Sequence, residues 1–214
     1  MSTPLLLDSI AAFPAHRLRK TETIIVREDG TRYVEKQQTD GSVVAEEREP
    51  IPMPVKDMDK LNKPDKVIDK LYISAMEAAM NWPAIESEGI THVVNLAVQC
   101  ADNYFPDKLQ YHAVKLVDLS FADALKFIPD GVKFIDSAIE GGGAVLVHCQ
   151  AGISRSSTFV AAYLMFKHNY TVEQALGIIR DARPIISPNP GFRRQLGEYE
   201  QRLKAERSAQ GPKQ

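Results

Sequence analysis

Cys149 and Arg155 stand six positions apart in the stretch VHCQAGISRS, with an apolar run on either side. A thiol and a guanidinium therefore share one strand-to-helix turn. Backbone N–H groups of a tight loop, backed by a helix N-terminus, form a nest for a tetrahedral oxyanion. Gly152 lets the backbone turn without a side chain filling the hole. Arg155 can grip two phosphoryl oxygens at once, with a planar fork that lysine lacks. The loop dipole and the guanidinium favour a thiolate at Cys149, so the loop that binds phosphate can also attack it. An isolated cysteine is more often a small buried hydrophobe. Here the Cys-x5-Arg spacing arrives with the glycine, the strand and the helix that the chemistry needs.

These residues need elements to hold them. AVLVHC (144–149) is a continuous apolar strand, as expected in the middle of a sheet covered on both faces. KLYIS (70–74), THVVNLAV (91–98) and YHAVKLV (111–117) read as further strands. SAMEAAMNWPAIESEG (74–89) reads as one helix with a glycine stop, and IPDGVKFIDSAIEGGG (128–143) places Val132, Ile135 and Ile139 on one helical face. Three more helices are expected over Arg155–His168, Val172–Asp181 and Gly191 to about Arg207. Strands alternating with helices imply an α/β fold: a central, largely parallel, mixed sheet of about five strands flanked by helices on both faces. Ligands in such folds sit at the carboxyl ends of the strands, where the Cys149 loop falls.

VHCQAGISRS, followed by AAYLM, resembles the dual-specificity branch of the cysteine-dependent protein tyrosine phosphatase superfamily, in the form found in phosphatases acting on MAP kinases. KLYIS, THVVNLA, YHAVKLVD and RPIISPNPGFRRQL stand in that family's order, so the resemblance spans roughly Asp65 to Leu203. It implies Cys149 as nucleophile and Arg155 as the group that binds substrate and stabilises the transition state. It further implies that Gln150, Ala151, Gly152, Ile153 and Ser154 line the phosphate with backbone amides. Ser156 would help the cysteine leave, His148 would orient the thiolate region without acting as a base, and Asn189 would support the site.

Expelling a serine, threonine or tyrosine oxygen without a proton is difficult, so a carboxylic acid must sit on a neighbouring loop. VKLVDLSFADAL offers Asp118 and Asp123. Asp118 ends a strand at the place the family's acid occupies; Asp123 is expected to face solvent or cap the next turn. The implied enzyme is a phosphatase for phosphotyrosine and phosphoserine/threonine in proteins, MAP kinases or their upstream kinases among its candidate partners. The alternatives are a phosphatase for an inositol lipid or RNA end, and a phosphate-binding interaction module. Gln150, Ala151, Ile153 and Ser154 carry no charge, whereas lipid enzymes tend to place lysine in this loop to meet extra phosphates.

Composition sets outer limits. The net charge of −2 gives no global pull toward nucleic acid or anionic lipid, so neither nucleic acid nor membrane is expected as a partner. The longest apolar run, Phe159–Phe166, is far short of the roughly 20 residues of a membrane span. MSTPLLLDSI lacks the basic start of a signal peptide. Two cysteines cannot make a secreted disulfide framework, which points to a reducing cytoplasmic setting, with the nucleus also open to the protein. Cys100 follows the strand 91–98 and is a candidate disulfide partner for Cys149. Five scattered histidines show no ligand spacing, so no metal and no other cofactor is expected.

Three divisions are expected: an extension (1–60), the catalytic domain (61–207) and a tail (208–214). Within the extension TETIIVREDGTRYVEKQQ resembles a hairpin, Ile24–Arg27 against Arg32–Glu35, and two Asp-Gly pairs (29–30 and 40–41) mark turns. Four prolines in EPIPMPVKDMDKLNKPDK mark a linker or irregular wrap. HRLRKTETIIV (His16–Val26) reads first as a solvated charge run leading into a strand, and loosely resembles a kinase docking peptide. Sixty residues are too short for the rhodanese-like domain of typical MAP-kinase phosphatases, so the resemblance is to atypical single-domain members.

Overall fold

The computed structural model describes residues 62–210 and, ahead of them, strands β1 (Thr23–Val26), β2 (Arg32–Gln37) and β3 (Val43–Arg48). The chain divides into two compact units, Met1–Pro54 and Val55–Gln214. In the first, β1 and β2 pair antiparallel with Ile24 opposite Val34, which is the hairpin expected over this stretch. β3 extends the sheet antiparallel to β2, with Lys36 opposite Val44. The two Asp-Gly pairs and the basic cluster before Thr23 lie outside the described residues.

The second unit is built on a five-stranded sheet of order β4-β5-β8-β6-β7. Its strands are β4 (Asp65–Ile68), β5 (Leu71–Ser74), β6 (Ile90–Asn95), β7 (Gln110–Ala113) and β8 (Ala144–His148). β8 lies at the centre, parallel to β5 and β6, and β7 is parallel to β6. Only β4 runs antiparallel, joined to β5 by the turn Asp69-Lys70. Lys70 adopts φ 61°, a left-handed conformation usually left to glycine or asparagine.

Among the described residues six helices cover the sheet: α1 (Met76–Ala79), α2 (Trp82–Ser87), α3 (Ile128–Glu140), α4 (Arg155–His168), α5 (Val172–Ala182) and α6 (Pro190–Gln210). Period-two alternation divides the core. Leu71, Ile73, Val94, Val145 and Val147 pack with α3, α4, α5 and α6, while Tyr72, Val93 and Leu146 pack with Ala79 and Ile85 of α1 and α2. β8 is buried along its whole length, which accounts for its unbroken apolar run. Helix α4 is buried from Arg155 to Met165, so the chain directly after the candidate loop is the best-anchored helix of the fold.

Two departures from the expected elements have local causes. The single helix expected over 74–89 is two short ones, because the Asn81 side chain accepts the Ala84 N–H and Pro83, which has no N–H, stands in the new first turn. The strand expected over 111–117 ends at Ala113, and the chain then runs irregularly to Asp118. The final helix begins at Pro190, capped by Asn189 Oδ1 on the Phe192 N–H, and continues to Gln210.

Candidate active site

Cys149 directly follows β8 and Arg155 opens α4, so the five residues between them form a loop at the carboxyl end of the central strand. Every carbonyl of this loop is held from outside. Gln150 O accepts Met76 N–H at 3.1 Å, Ile153 O accepts Ser187 N–H at 3.0 Å, and Ser154 O accepts Thr158 N–H at 3.1 Å. Ala151 O and Gly152 O accept the Arg183 side chain at 3.0 and 2.8 Å. A planar trans peptide points its N–H opposite its C=O, so carbonyls held outward turn the following N–H groups inward. The Gly152 N–H accordingly donates to Cys149 Sγ at 3.3 Å. Gly152 has φ +67°, and a Cβ there would lie 2.6 Å from the Ser74 carbonyl, so both its conformation and its neighbours require glycine.

Cys149 is buried, 1% exposed, with Ser156 Oγ 3.4 Å from its sulfur. Arg155 is also buried, and its Nη1 donates to the carbonyls of Leu96 and Leu116 at 3.1 and 3.2 Å. These acceptors follow β6 and β7, so two strand ends aim the guanidinium. Nε makes no hydrogen bond among the described residues and stands 3.7 Å from Asp118 Oδ2. A buried donor without a partner, beside a loop of inward N–H groups, is an anion-binding arrangement.

Asp118 lies five residues beyond β7. Its Oδ1 accepts the Ser154 hydroxyl at 2.6 Å and the Asn189 amide at 2.8 Å, leaving Oδ2 toward Arg155. Asp123 is exposed and accepts the Lys126 N–H at 3.1 Å, so it caps a turn. The structure thus gathers Cys149, Arg155, Ser156, Asp118 and Asn189 around one loop and leaves Asp123 out.

His148 is fully buried, with Nδ1 3.3 Å from Cys149 O and Nε2 unpaired among the described residues. Burial, reinforced by the nearby Arg155 charge, pushes its pKa down to about 4. It is neutral at neutral pH. The two cysteines are free thiols, Cys100 exposed and Cys149 buried.

Sequence reasoning missed three contributors. Arg183 holds two loop carbonyls and pairs with Asp65 Oδ2 at 2.6 Å. The Ser154 hydroxyl, assigned only a backbone amide, bonds Asp118 and accepts the Asn189 N–H at 3.2 Å. Gln195 accepts the N–H groups of Ala124 and Leu125 through Oε1 and donates to Ala122 O through Nε2, all within 3.1 Å. Most of their partners are backbone groups, which carry no sequence signature.

Comparison with known proteins points to one family. The family model for the dual specificity phosphatase catalytic domain matches residues 71–202. Dual specificity protein phosphatase 1B of Arabidopsis thaliana is 41% identical, over 62% of this chain and 79% of its own length. Protein phosphatase Slingshot homolog 3 of Rattus norvegicus is 36% identical over 71% of this chain but only 23% of its own. MAP kinase phosphatase with leucine-rich repeats protein 3 of Dictyostelium discoideum is 38% identical over 65% of this chain and 16% of its own. This chain therefore spans less than a quarter of the latter two relatives. Among solved structures, the human tyrosine phosphatase-like serine/threonine/tyrosine-interacting protein superposes with a TM-score of 0.64 at 30% identity, covering 67% of this chain and 99% of that one.

Proposed function

The chain belongs to the dual specificity phosphatase family, and from that membership and the geometry of its loop we propose that it removes phosphate from phosphotyrosine and phosphoserine/threonine in proteins through a cysteinyl-phosphate intermediate. The observation that carries this reading is Cys149 Sγ at the floor of a loop whose carbonyls all face outward, with the unpaired Arg155 Nε beside it.

In this mechanism the Cys149 thiolate attacks phosphorus in line while the bond to the substrate oxygen breaks. The inward N–H groups and the Arg155 fork bind the equatorial oxygens, whose charge is spread in the transition state. Asp118, fixed through Oδ1 by Ser154 and Asn189, gives the proton on Oδ2 to the leaving oxygen. In the second step the resulting carboxylate takes a proton from water as the water oxygen attacks phosphorus. Cys149 then departs as thiolate, stabilised by the Ser156 hydroxyl.

A protein substrate is favoured by what surrounds the loop. Leu119, Phe121 and Ile185 are 47, 83 and 51% exposed on the segments that hold Asp118 and the Ile153 carbonyl. Apolar side chains suit a phosphorylated protein segment better than a polyphosphorylated headgroup. Kinases phosphorylated on a Thr-x-Tyr segment are the proposed substrates, supported by the likeness to the Dictyostelium MAP kinase phosphatase.

The test is a bisphosphorylated Thr-x-Tyr peptide with phosphate release followed by mass spectrometry. Both phosphates should be lost with the wild-type protein and neither with Cys149→Ser. Loss of only one phosphate at long times and high enzyme rejects dual specificity.

A further inference from the structure

Arg183 sits outside the Cys149–Arg155 segment, yet it is 4% exposed and engages three nitrogens at once. Nε donates to Gly152 O at 2.8 Å, Nη2 to Ala151 O at 3.0 Å, and Nη1 to Asp65 Oδ2 at 2.6 Å. Pro184 explains how the side chain is presented. A residue before proline is driven out of the helical region; Arg183, at φ −137° and ψ 91°, ends helix α5.

The two carbonyls it holds belong to the peptide units that carry the N–H groups of Gly152 and Ile153. Those are adjacent donors in the middle of the anion nest, and the first already points at Cys149 Sγ. The other loop carbonyls are fixed by backbone N–H groups of Met76, Ser187 and Thr158. The two central units have no backbone N–H acting on their carbonyls among the described residues and depend on this guanidinium. Asp65 lies in β4, an edge strand of the sheet, and it fixes the far side of the fork.

We propose that Arg183 is a positioning residue for phosphate capture: by holding the Ala151 and Gly152 carbonyls outward, it aims two N–H donors at the phosphoryl group, with Asp65 locking its orientation. This rests on the phosphatase reading of the loop. A lysine in its place has one nitrogen and cannot serve both carbonyls and the carboxylate. Without the fork, the central peptides are free to rotate and their dipoles no longer converge on the anion.

The test is the competitive inhibition constant of vanadate, an oxyanion that takes the trigonal-bipyramidal geometry of the transferring phosphoryl group. An inhibition constant does not depend on how much of the sample is folded, so it separates positioning from mere stability. Arg183→Met should raise it by about tenfold or more, the scale set by hydrogen bonds to a charged group, and should lower kcat/KM for nitrophenyl phosphate at least as far. Arg183→Lys should fall between wild type and the methionine variant. It also carries the test alone where Arg183→Met does not fold. Wild-type inhibition constants in whichever variants fold, with activity lost only in proportion to folded protein, would overturn the proposal and leave the phosphatase reading intact. A wild-type protein indifferent to vanadate would overturn that reading and this inference with it.

Discussion

The Asn189 side-chain amide donates to Asp118 Oδ1 at 2.8 Å, joining residues 71 positions apart. It is one of several ties between the segment 118–125 and the start of α6. Gly191 packs so closely that a Cβ there would lie 1.8 Å from Ser120 O, and Gln195 satisfies three backbone groups from Ala122 to Leu125. Ser154 adds a link from the catalytic loop itself. The carboxylate is therefore set in place by packing and hydrogen bonds within the protein, which lowers the entropy cost of aligning it with a leaving group.

If Asp118 is the general acid, its value depends on the leaving oxygen. Asp118→Asn should slow hydrolysis of a phosphothreonine peptide by roughly 100-fold or more. The loss should be smaller for nitrophenyl phosphate, whose phenolate departs unaided. Asp123→Asn removes only a turn cap and should leave both substrates near wild type. Equal losses on both substrates for Asp118→Asn would mean that it shapes the loop without donating a proton.

The Gly191 contact yields a second test of the same carboxylate from the opposite side. In Gly191→Ala the new methyl group must push the Ser120 backbone aside, and Asp118 is two residues away. Turnover of phosphothreonine peptide should fall by roughly 10- to 100-fold, the range for a small misplacement of a reacting group. Vanadate should still bind normally, because the Cys149 loop is untouched. Weakened vanadate binding would place Gly191 in the support of the phosphate loop instead.

The candidate nucleophile and the loop around it were legible because VHCQAGISRS packs them into one contiguous segment between a strand and a helix. The three helices after it were expected at nearly their observed bounds; α5 carries an apolar stripe and a Thr171–Gln174 capping box, whereas α4 is buried all round and shows no such stripe. What escaped had weaker signals. The helix break at Asn81 lies inside an apolar pattern that continues across it. β3, VVAEER, does not alternate, and β4 is four residues long, closed by a turn whose left-handed residue is Lys70. Arg183 opens the stretch RPIISPNPGFRRQL, but its role was invisible because its carbonyl partners are backbone atoms and Asp65 is 118 residues distant. Long-range backbone support leaves little trace in one sequence.

Buried His148 makes stability pH-dependent on the acid side. Its folded pKa, about 4, lies below the 6.5 of an exposed histidine, so the unfolded chain binds the proton first as pH falls. The stabilisation is complete above about pH 6.5, is lost as pH falls to about 4, and amounts to roughly 3 kcal/mol over that window. His92 and His112, also lowered by burial, act in the same direction. Melting temperatures measured between pH 7 and 4 should fall for the wild type and fall less steeply for His148→Asn. Parallel slopes would show that His148 is already protonated in the fold or never titrates in this window.

Ser156 Oγ lies 3.4 Å from Cys149 Sγ, and the proposed role of the hydroxyl is in the second chemical step. During attack the sulfur loses negative charge and needs no donor; during breakdown of the cysteinyl phosphate the sulfur regains that charge as it leaves. A hydroxyl hydrogen bond at that moment stabilises the departing thiolate by about the worth of a hydrogen bond to a charged group, equivalent to roughly 10-fold or more in rate. Ser156→Ala should therefore keep the first step and slow the second. Rapid mixing with nitrophenyl phosphate should show a burst of nitrophenolate approaching one equivalent per active site, followed by a slow steady state, and acid quenching should trap phosphate on Cys149. The wild type, in which breakdown is not impeded, should show a smaller burst. A variant with no burst and a uniformly slow rate would assign Ser156 to phosphorylation or to the packing of α4, where its side chain is fully buried.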